Sequence, residues 1–162
     1  MDLNGFNNPV QLEAPDAQAI VLGNDKHPDL FGVVLFYQMP FGVLINAQFD
    51  GLPVMSGTDT NRFFGFHIHE NGDCSQNAEF DFNLTGGHYN PDNWNHPNHR
   101  GDLPPILNCN GIAWQSFLTN AFMLTDVIGR SVVVHAMPDD FMTQPSGNSG
   151  AKIGCGIIQL NN

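Results

Sequence analysis

The sequence predicts an all-β domain, an antiparallel sandwich or closed barrel of eight strands, and three observations carry that reading. Seventeen glycines and eleven prolines punctuate 162 residues, which favours many short strands and turns over helices. Short runs between them alternate apolar and polar side chains with the period of two that half-buries a strand. In residues 42–49, for example, Val43, Ile45, Ala47 and Phe49 share one face, with Leu44, Asn46 and Gln48 opposite. No stretch of convincing length carries the helical period, and short strands separated by turn signals belong to sandwiches and barrels.

Residues 1–16 are asparagine-rich and patternless, and read as a tail ahead of a single domain over 17–162. Residues 17–22 form a short strand, ended by the turn Gly23-Asn24-Asp25. Residues 32–38 and 42–49 make a hairpin joined tightly through Met39-Pro40-Phe41. A loop over 51–61 leads to the next strand, 63–69. Residues 71–99 show little strand pattern, and so long a loop in a compact domain carries function or is disordered. Residues 102–107 and 112–118 pair around Asn108-Cys109-Asn110-Gly111, whose Asn-Gly favours positive φ. Residues 122–128 hold a helical turn, 131–135 a strand, 138–149 a second long loop and 153–160 the closing strand.

Composition narrows the function. Charged residues make up 13% of the chain, about half the usual share. Five basic against sixteen acidic residues give a formal charge of −11. So acidic a surface argues against nucleic acid and anionic membrane as partners. No apolar run approaches the roughly 20 residues of a membrane span. No charged segment followed by an apolar core opens the chain, the pattern of a cytoplasmic protein, or of an extracytoplasmic one already trimmed to its mature form.

Five of the seven histidines fall within residues 67–99. On a strand, His67 and His69 share one face while Phe64, Phe66 and Ile68 share the other, which suits a barrel wall with an apolar inside and a metal outside. His88, His96 and His99 follow on the long loop, Asp102 stands close by, and His135 ends the run Val132-Val133-Val134-His135. Imidazole is the usual ligand of copper and zinc, and zinc also accepts a carboxylate oxygen. A lone histidine is more often an ordinary polar residue, and His27, isolated before Pro28, is read that way. A same-face pair, a loop triplet, a carboxylate and a strand-end histidine together point to metal.

At these residues the sequence resembles the copper/zinc superoxide dismutases. The resemblance rests on Gly65-Phe66-His67-Ile68-His69-Glu70, Gly87-His88-Tyr89-Asn90-Pro91, His99-Arg100-Gly101-Asp102-Leu103, Gly129-Arg130-Ser131-Val132-Val133-Val134-His135 and Gly147-Asn148-Ser149-Gly150-Ala151-Lys152-Ile153-Gly154-Cys155-Gly156. It implies an eight-stranded Greek-key barrel of immunoglobulin-like sandwich type, with both metals outside the wall under two long loops. It implies copper on His67, His69, His88 and His135, and zinc on His88, His96, His99 and Asp102, with His88 bridging the two. Asp139 matches the carboxylate that hydrogen-bonds a copper histidine and a zinc histidine. Bacterial members pair cysteines at the positions of Cys74 and Cys155, which leaves Cys109 a free thiol. The implied activity is disproportionation of superoxide to oxygen and hydrogen peroxide by Cu(II)/Cu(I) cycling, with His88 and Lys152 as the catalytic residues, and a homodimer is compatible with it. A net charge of −11 does not oppose an anionic substrate, because local field outweighs net charge and two divalent ions beside one imidazolate add roughly three positive charges at the mouth.

Three departures from the family pattern stand out. Lys152 occupies the position of the usual arginine, which keeps the charge and loses the planar fork that orients an anion. Only Pro97 and Asn98 separate His96 from His99, where the family has a longer insert. The loop from 140 to 148 is short, as in bacterial members. The competing reading is a relative that binds and buffers copper and zinc without turnover; a copper chaperone would need a Cys-x-x-Cys module, and the sequence has none.

Overall fold

The computed structural model describes residues 14–54, 62–76 and 81–161. Most of the expected tail and part of the loop over 51–61 lie outside the described residues. In order the chain forms β1 (Ala17–Gly23), β2 (Phe31–Met39), β3 (Gly42–Asp50), β4 (Phe63–Phe64), β5 (Phe66–His69), β6 (Ile106–Leu107), β7 (Ala113–Thr119), α1 (Leu124–Val127), β8 (Ser131–His135), β9 (Lys152–Ile157) and β10 (Gln159–Leu160), with a 3-10 turn at Asn83–Thr85. The antiparallel order is β5-β8-β9-β1-β2-β3-β7, and β10 extends the pairing with β1. The two ends of that sheet are joined through the remaining pair. β4 runs into β5 and pairs with β6, and β6 turns through the Cys109–Ile112 bridge into β7. Strands adjacent in space but distant in sequence, such as β5 and β8 or β1 and β9, give the Greek-key character of an all-β barrel.

The eight expected strands appear as more segments because two of them break where the backbone changes partner. At Gly65 the chain leaves β6: its N–H donates to Met137 O and its carbonyl accepts from His135 N–H, both at 2.8 Å. A side chain there would press on Ser149 and His135, so the crossing requires glycine. At Ile158 the backbone turns to the segment before β8, bonding Arg130 O and Gly129 N–H. The strand expected over 102–107 is regular only at Ile106–Leu107; Pro104 and Pro105 have no N–H to give a ladder. The hairpin turn between β2 and β3 is Pro40-Phe41, with Met39 opposite Gly42.

The alternation read from the sequence is realised in the core. Ala17, Ala19 and Val21 of β1, Val34 and Phe36 of β2, and Val43, Ile45, Ala47 and Phe49 of β3 meet Phe64, Phe66, Ile68, Val132 and Val134 in one apolar cluster. β5, β8 and the middle of β9 are buried on both faces. Their inner residues enter the core, while their outer residues are covered by the long loop: Val133 packs with Phe82 and the Cys155 side chain. That loop is tied to β9 by a Cys74–Cys155 disulfide spanning 81 residues, and Cys109 is a free, exposed thiol. Closing a loop of that size removes about 4–5 kcal/mol of chain entropy from the unfolded state. Reduction of this bond, or Cys155→Ser, is therefore expected to lower the unfolding free energy by about 4 kcal/mol in denaturant titration; a change below about 1 kcal/mol would contradict the entropic account.

Candidate metal centre

The site is built on the free edge of β5. Ile68 N–H donates to Gly101 O and Ile68 O accepts from Tyr89 N–H, both at 2.8 Å. Those two bonds set Asp102 opposite His67 and His88 opposite His69 as isolated antiparallel bridges. The other edge of β5 pairs with β8, where Val133 faces His67 and strand alternation puts His135 on the same outer face. A tight turn, Asn98 N–H to Asn95 O at 2.9 Å, lets the two-residue spacer bring the His96 and His99 rings to 5.5 Å. The sequence placed His67 and His69 outside the wall, and they are; the loops then cover them so fully that they are 0% and 1% exposed.

Each ring has one nitrogen committed. His69 Nδ1–H donates to Gly86 O at 3.0 Å and His135 Nδ1–H to Gly150 O at 3.2 Å. His67 Nε2–H and His96 Nε2–H donate to the two oxygens of Asp139 at 2.7 and 2.8 Å. These bonds fix the tautomers and turn the other nitrogens, as bare lone pairs, inward. His69 Nε2 and His135 Nε2 then face each other at 3.2 Å, an arrangement that only a positive centre makes favourable. His67 Nδ1, His88 Nε2, His96 Nδ1 and His99 Nδ1 are buried without a hydrogen-bond partner. Asp102 Oδ2 lies 3.1 and 3.4 Å from His96 and His99 Nδ1, off the alignment of a hydrogen bond, and Asp102 Oδ1 is 2.7 Å from His88 Nδ1.

The result is two donor sets, each with its ligand atoms within 4.8 Å of one another: His67, His69, His88 and His135, and His88, His96, His99 and Asp102. His88 belongs to both, with Nε2 orphaned on one side and Nδ1 beside Asp102 on the other. All-nitrogen donors suit copper, and three nitrogens with one carboxylate suit zinc.

Burial holds the His69 and His135 rings well below the ordinary imidazole value, with neighbouring charged rings and Lys152 adding to it. Burial also lowers His67 to about 4, opposed by its bond to Asp139. Against its own burial, Asp139 is held well below the carboxylate range by His67, by Phe141 N–H and by His96. Asp102, likewise penalised by burial, is lowered by His88. Gly147 lies against the Asp139–His96 contact at φ +65°, so close that a β-carbon would strike both side chains.

A cleft of about 580 Å³ opens over this cluster, floored by His69, His88 and His135 and walled by Asn93–Asn95 on one side and Gln144–Ser146 on the other. Lys152 lines it, but its ammonium is engaged: Nζ donates to Thr85 Oγ1 at 2.7 Å, Gly86 O at 2.9 Å and Phe82 O at 3.4 Å. Gly86 O is also the acceptor for His69 Nδ1. The lysine therefore does more than supply charge; it braces the carbonyl that aims a ring.

The copper/zinc superoxide dismutase family profile matches residues 30–158. The chain belongs to this family. It is similar to proteins named copper-zinc superoxide dismutase from Deinococcus radiodurans (33% identical over 169 residues, covering 93% of this chain and 88% of that one), from Photobacterium leiognathi (32% over 143 residues, 79% and 78%) and from Legionella pneumophila (32% over 154 residues, 90% and 88%). Proteins named extracellular superoxide dismutase, as from rat, also align, at 33% identity over 83% of this chain and 57% of theirs. No helix among the described residues is long and apolar enough to cross a membrane.

The side chains that the sequence singled out as candidate ligands thus converge in two groups able to hold a metal ion. Sequence reading missed the backbone and amide groups that aim them: Gly86 O, Gly150 O, Thr85, Gly147 and Gln144. Carbonyls leave no mark in a sequence, and the Gly86-Gly87 pair before His88 was the one available hint.

The lowered imidazole values set a pH dependence. In the unfolded chain these histidines take up protons near 6.5, while the folded protein resists until lower pH. The stability they contribute is present above about pH 6.5 and is lost as pH falls toward 4; the depressed Asp139 extends the loss to lower pH. Metal-free protein is expected to need markedly less urea to unfold at pH 4.5 than at pH 7.5, and equal midpoints would refute the linkage.

Proposed function

We propose that the chain disproportionates superoxide, with copper held by His67, His69, His88 and His135 and zinc by His88, His96, His99 and Asp102. The observation that carries this reading is the single His88 ring shared by two donor sets at the floor of an open cleft. When bound, copper supplies a one-electron couple that oxidises one superoxide to oxygen and reduces a second to peroxide with two protons, while zinc, which has no redox chemistry, orders the loop.

The chain's own residues supply the rest. His69 and His135, locked by the Gly86 and Gly150 carbonyls, keep Nε2 unprotonated and aimed. Asp139 holds His67 and His96 together, so the two halves of the centre keep one geometry. His88 Nε2 is the atom able to hold one of the two protons, while Nδ1 stays beside Asp102. The cleft is wide enough to admit a small anion to the shared ring. Lys152 contributes positive potential at its side. The likeness to proteins named copper-zinc superoxide dismutase supports the enzyme over a buffering relative, and the cleft gives turnover the access it needs.

Metal content measured beside dismutase activity on one sample tests the reading; a copper-loaded, inactive protein would leave only metal binding. Dividing the two sets, His99→Ala is expected to lower zinc content and thermal stability, and His135→Ala to abolish copper turnover, with at least a hundredfold loss of rate. Equal loss of both metals from both variants would contradict the division.

Lys152 has two separable roles in this proposal. Lys152→Glu is expected to slow dismutation strongly, to weaken its inhibition by salt and, by placing a carboxylate against Gly86 O, to reduce copper affinity. Lys152→Arg should keep the rate and the salt slope. Rates normalised to bound copper across a series of ionic strengths decide: identical slopes in all three proteins would reduce the lysine to a brace.

A further inference from the structure

The zinc-side loop is held by side-chain amides acting in place of a neighbouring strand. Asn90 donates from Nδ2 to Trp94 O at 2.9 Å and accepts at Oδ1 from Trp94 N–H at 3.0 Å. Two residues on, Gln144 of the other long loop repeats the pattern: Nε2 donates to His96 O at 2.7 Å and Oε1 accepts from His96 N–H at 2.9 Å. Alternate residues of the segment thus have both backbone groups satisfied by an amide, as an antiparallel partner would satisfy them. His96 is 3% exposed and sits where the chain has only two residues before the next ligand. Its N–H and C=O find their partner in Gln144.

We propose that Gln144 is a positioning residue for the second donor set: it fixes the backbone of His96, and so aims Nδ1 at the metal while Nε2 stays on Asp139. The inference rests on the assignment of His96, His99, His88 and Asp102 to zinc. With the ring's outer nitrogen pinned by Asp139 and the backbone pinned at both polar groups by Gln144, the imidazole has no remaining freedom of pitch. Gln144 bonds His96 directly and reaches the all-histidine set only onward through Asp139, which also holds His67, so its effect falls first on the zinc set.

The test compares native protein with Gln144→Leu, which keeps the bulk and loses both bonds, and Gln144→Glu, which keeps the acceptor for His96 N–H but sets a carboxylate against His96 O. Met142→Ala, two residues away on the same loop and with its side chain exposed, is the control. Zinc affinity is read by chelator competition, and cobalt(II), bound in place of zinc, reports ligand geometry through its visible absorption. Gln144→Leu is expected to weaken zinc about ten- to a hundredfold and to shift the cobalt bands. Gln144→Glu should fall between Leu and native, Met142→Ala should match native, and copper affinity should fall less than zinc affinity throughout. A Gln144→Leu variant with native zinc affinity and native cobalt bands overturns the inference. So does an equal weakening in Met142→Ala, or a loss of copper equal to the loss of zinc. Native protein that takes up neither zinc nor cobalt would remove the zinc assignment itself, and the inference with it.

Discussion

The centre depends on one short backbone pairing, the two hydrogen bonds by which Ile68 on β5 holds Gly101 and Tyr89. An edge strand offers unpaired donors and acceptors that proteins ordinarily hide. Here the edge is used: the loop returns to it twice, and each return delivers a ligand opposite a ligand, Asp102 to His67 and His88 to His69. Since Ile68 is itself wholly buried in the barrel core, the register of the site is set by the register of the core. A slip of one residue would turn His67 and His69 into the apolar interior.

The arrangement is costly without cations. Four ring nitrogens are buried with no hydrogen-bond partner, and two more face each other at 3.2 Å. Each unsatisfied buried polar atom costs on the order of 1–3 kcal/mol. The barrel carries this because Asp139, Gly86 O and Gly150 O leave the rings no alternative hydrogen-bonding pose, and because the disulfide and the Lys152 contacts hold the covering loop down. Arg130 adds to that hold, lying 4.0 Å from the Tyr89 ring and donating to Glu70 O.

Much of this was legible in the residues. Alternation in β3 and the apolar run of β8 gave strand faces that the core confirms, and the same-face pairing of His67 and His69 opposite Phe66 and Ile68 gave the site's side of the wall. The breaks at Gly65 and Ile158 were not legible, since they follow from a change of bonding partner that only the closed barrel defines. Neither was the bracing role of Lys152: the sequence marks it as a scarce positive charge, while its acceptors are two carbonyls and a hydroxyl more than sixty residues away. The shortened spacer between His96 and His99 looked like a weakness in the zinc half. The tight turn at Asn95–Asn98 and the Gln144 amide supply what the missing residues would have given.

The two donor sets draw on the chain very differently. The set with Asp102 is contained within residues 88–102, whereas the all-histidine set runs from β5 to the end of β8, residues 67 to 135. During synthesis the first is complete as a stretch of polypeptide before β7 has been made. The second cannot be complete until β8 has emerged and paired with β5. A chain truncated anywhere between residues 103 and 134 keeps every ligand of the carboxylate-containing set and lacks one of the four of the other. Completion of the all-histidine set is thereby conditional on near-complete translation and on the pairing of β5 with β8.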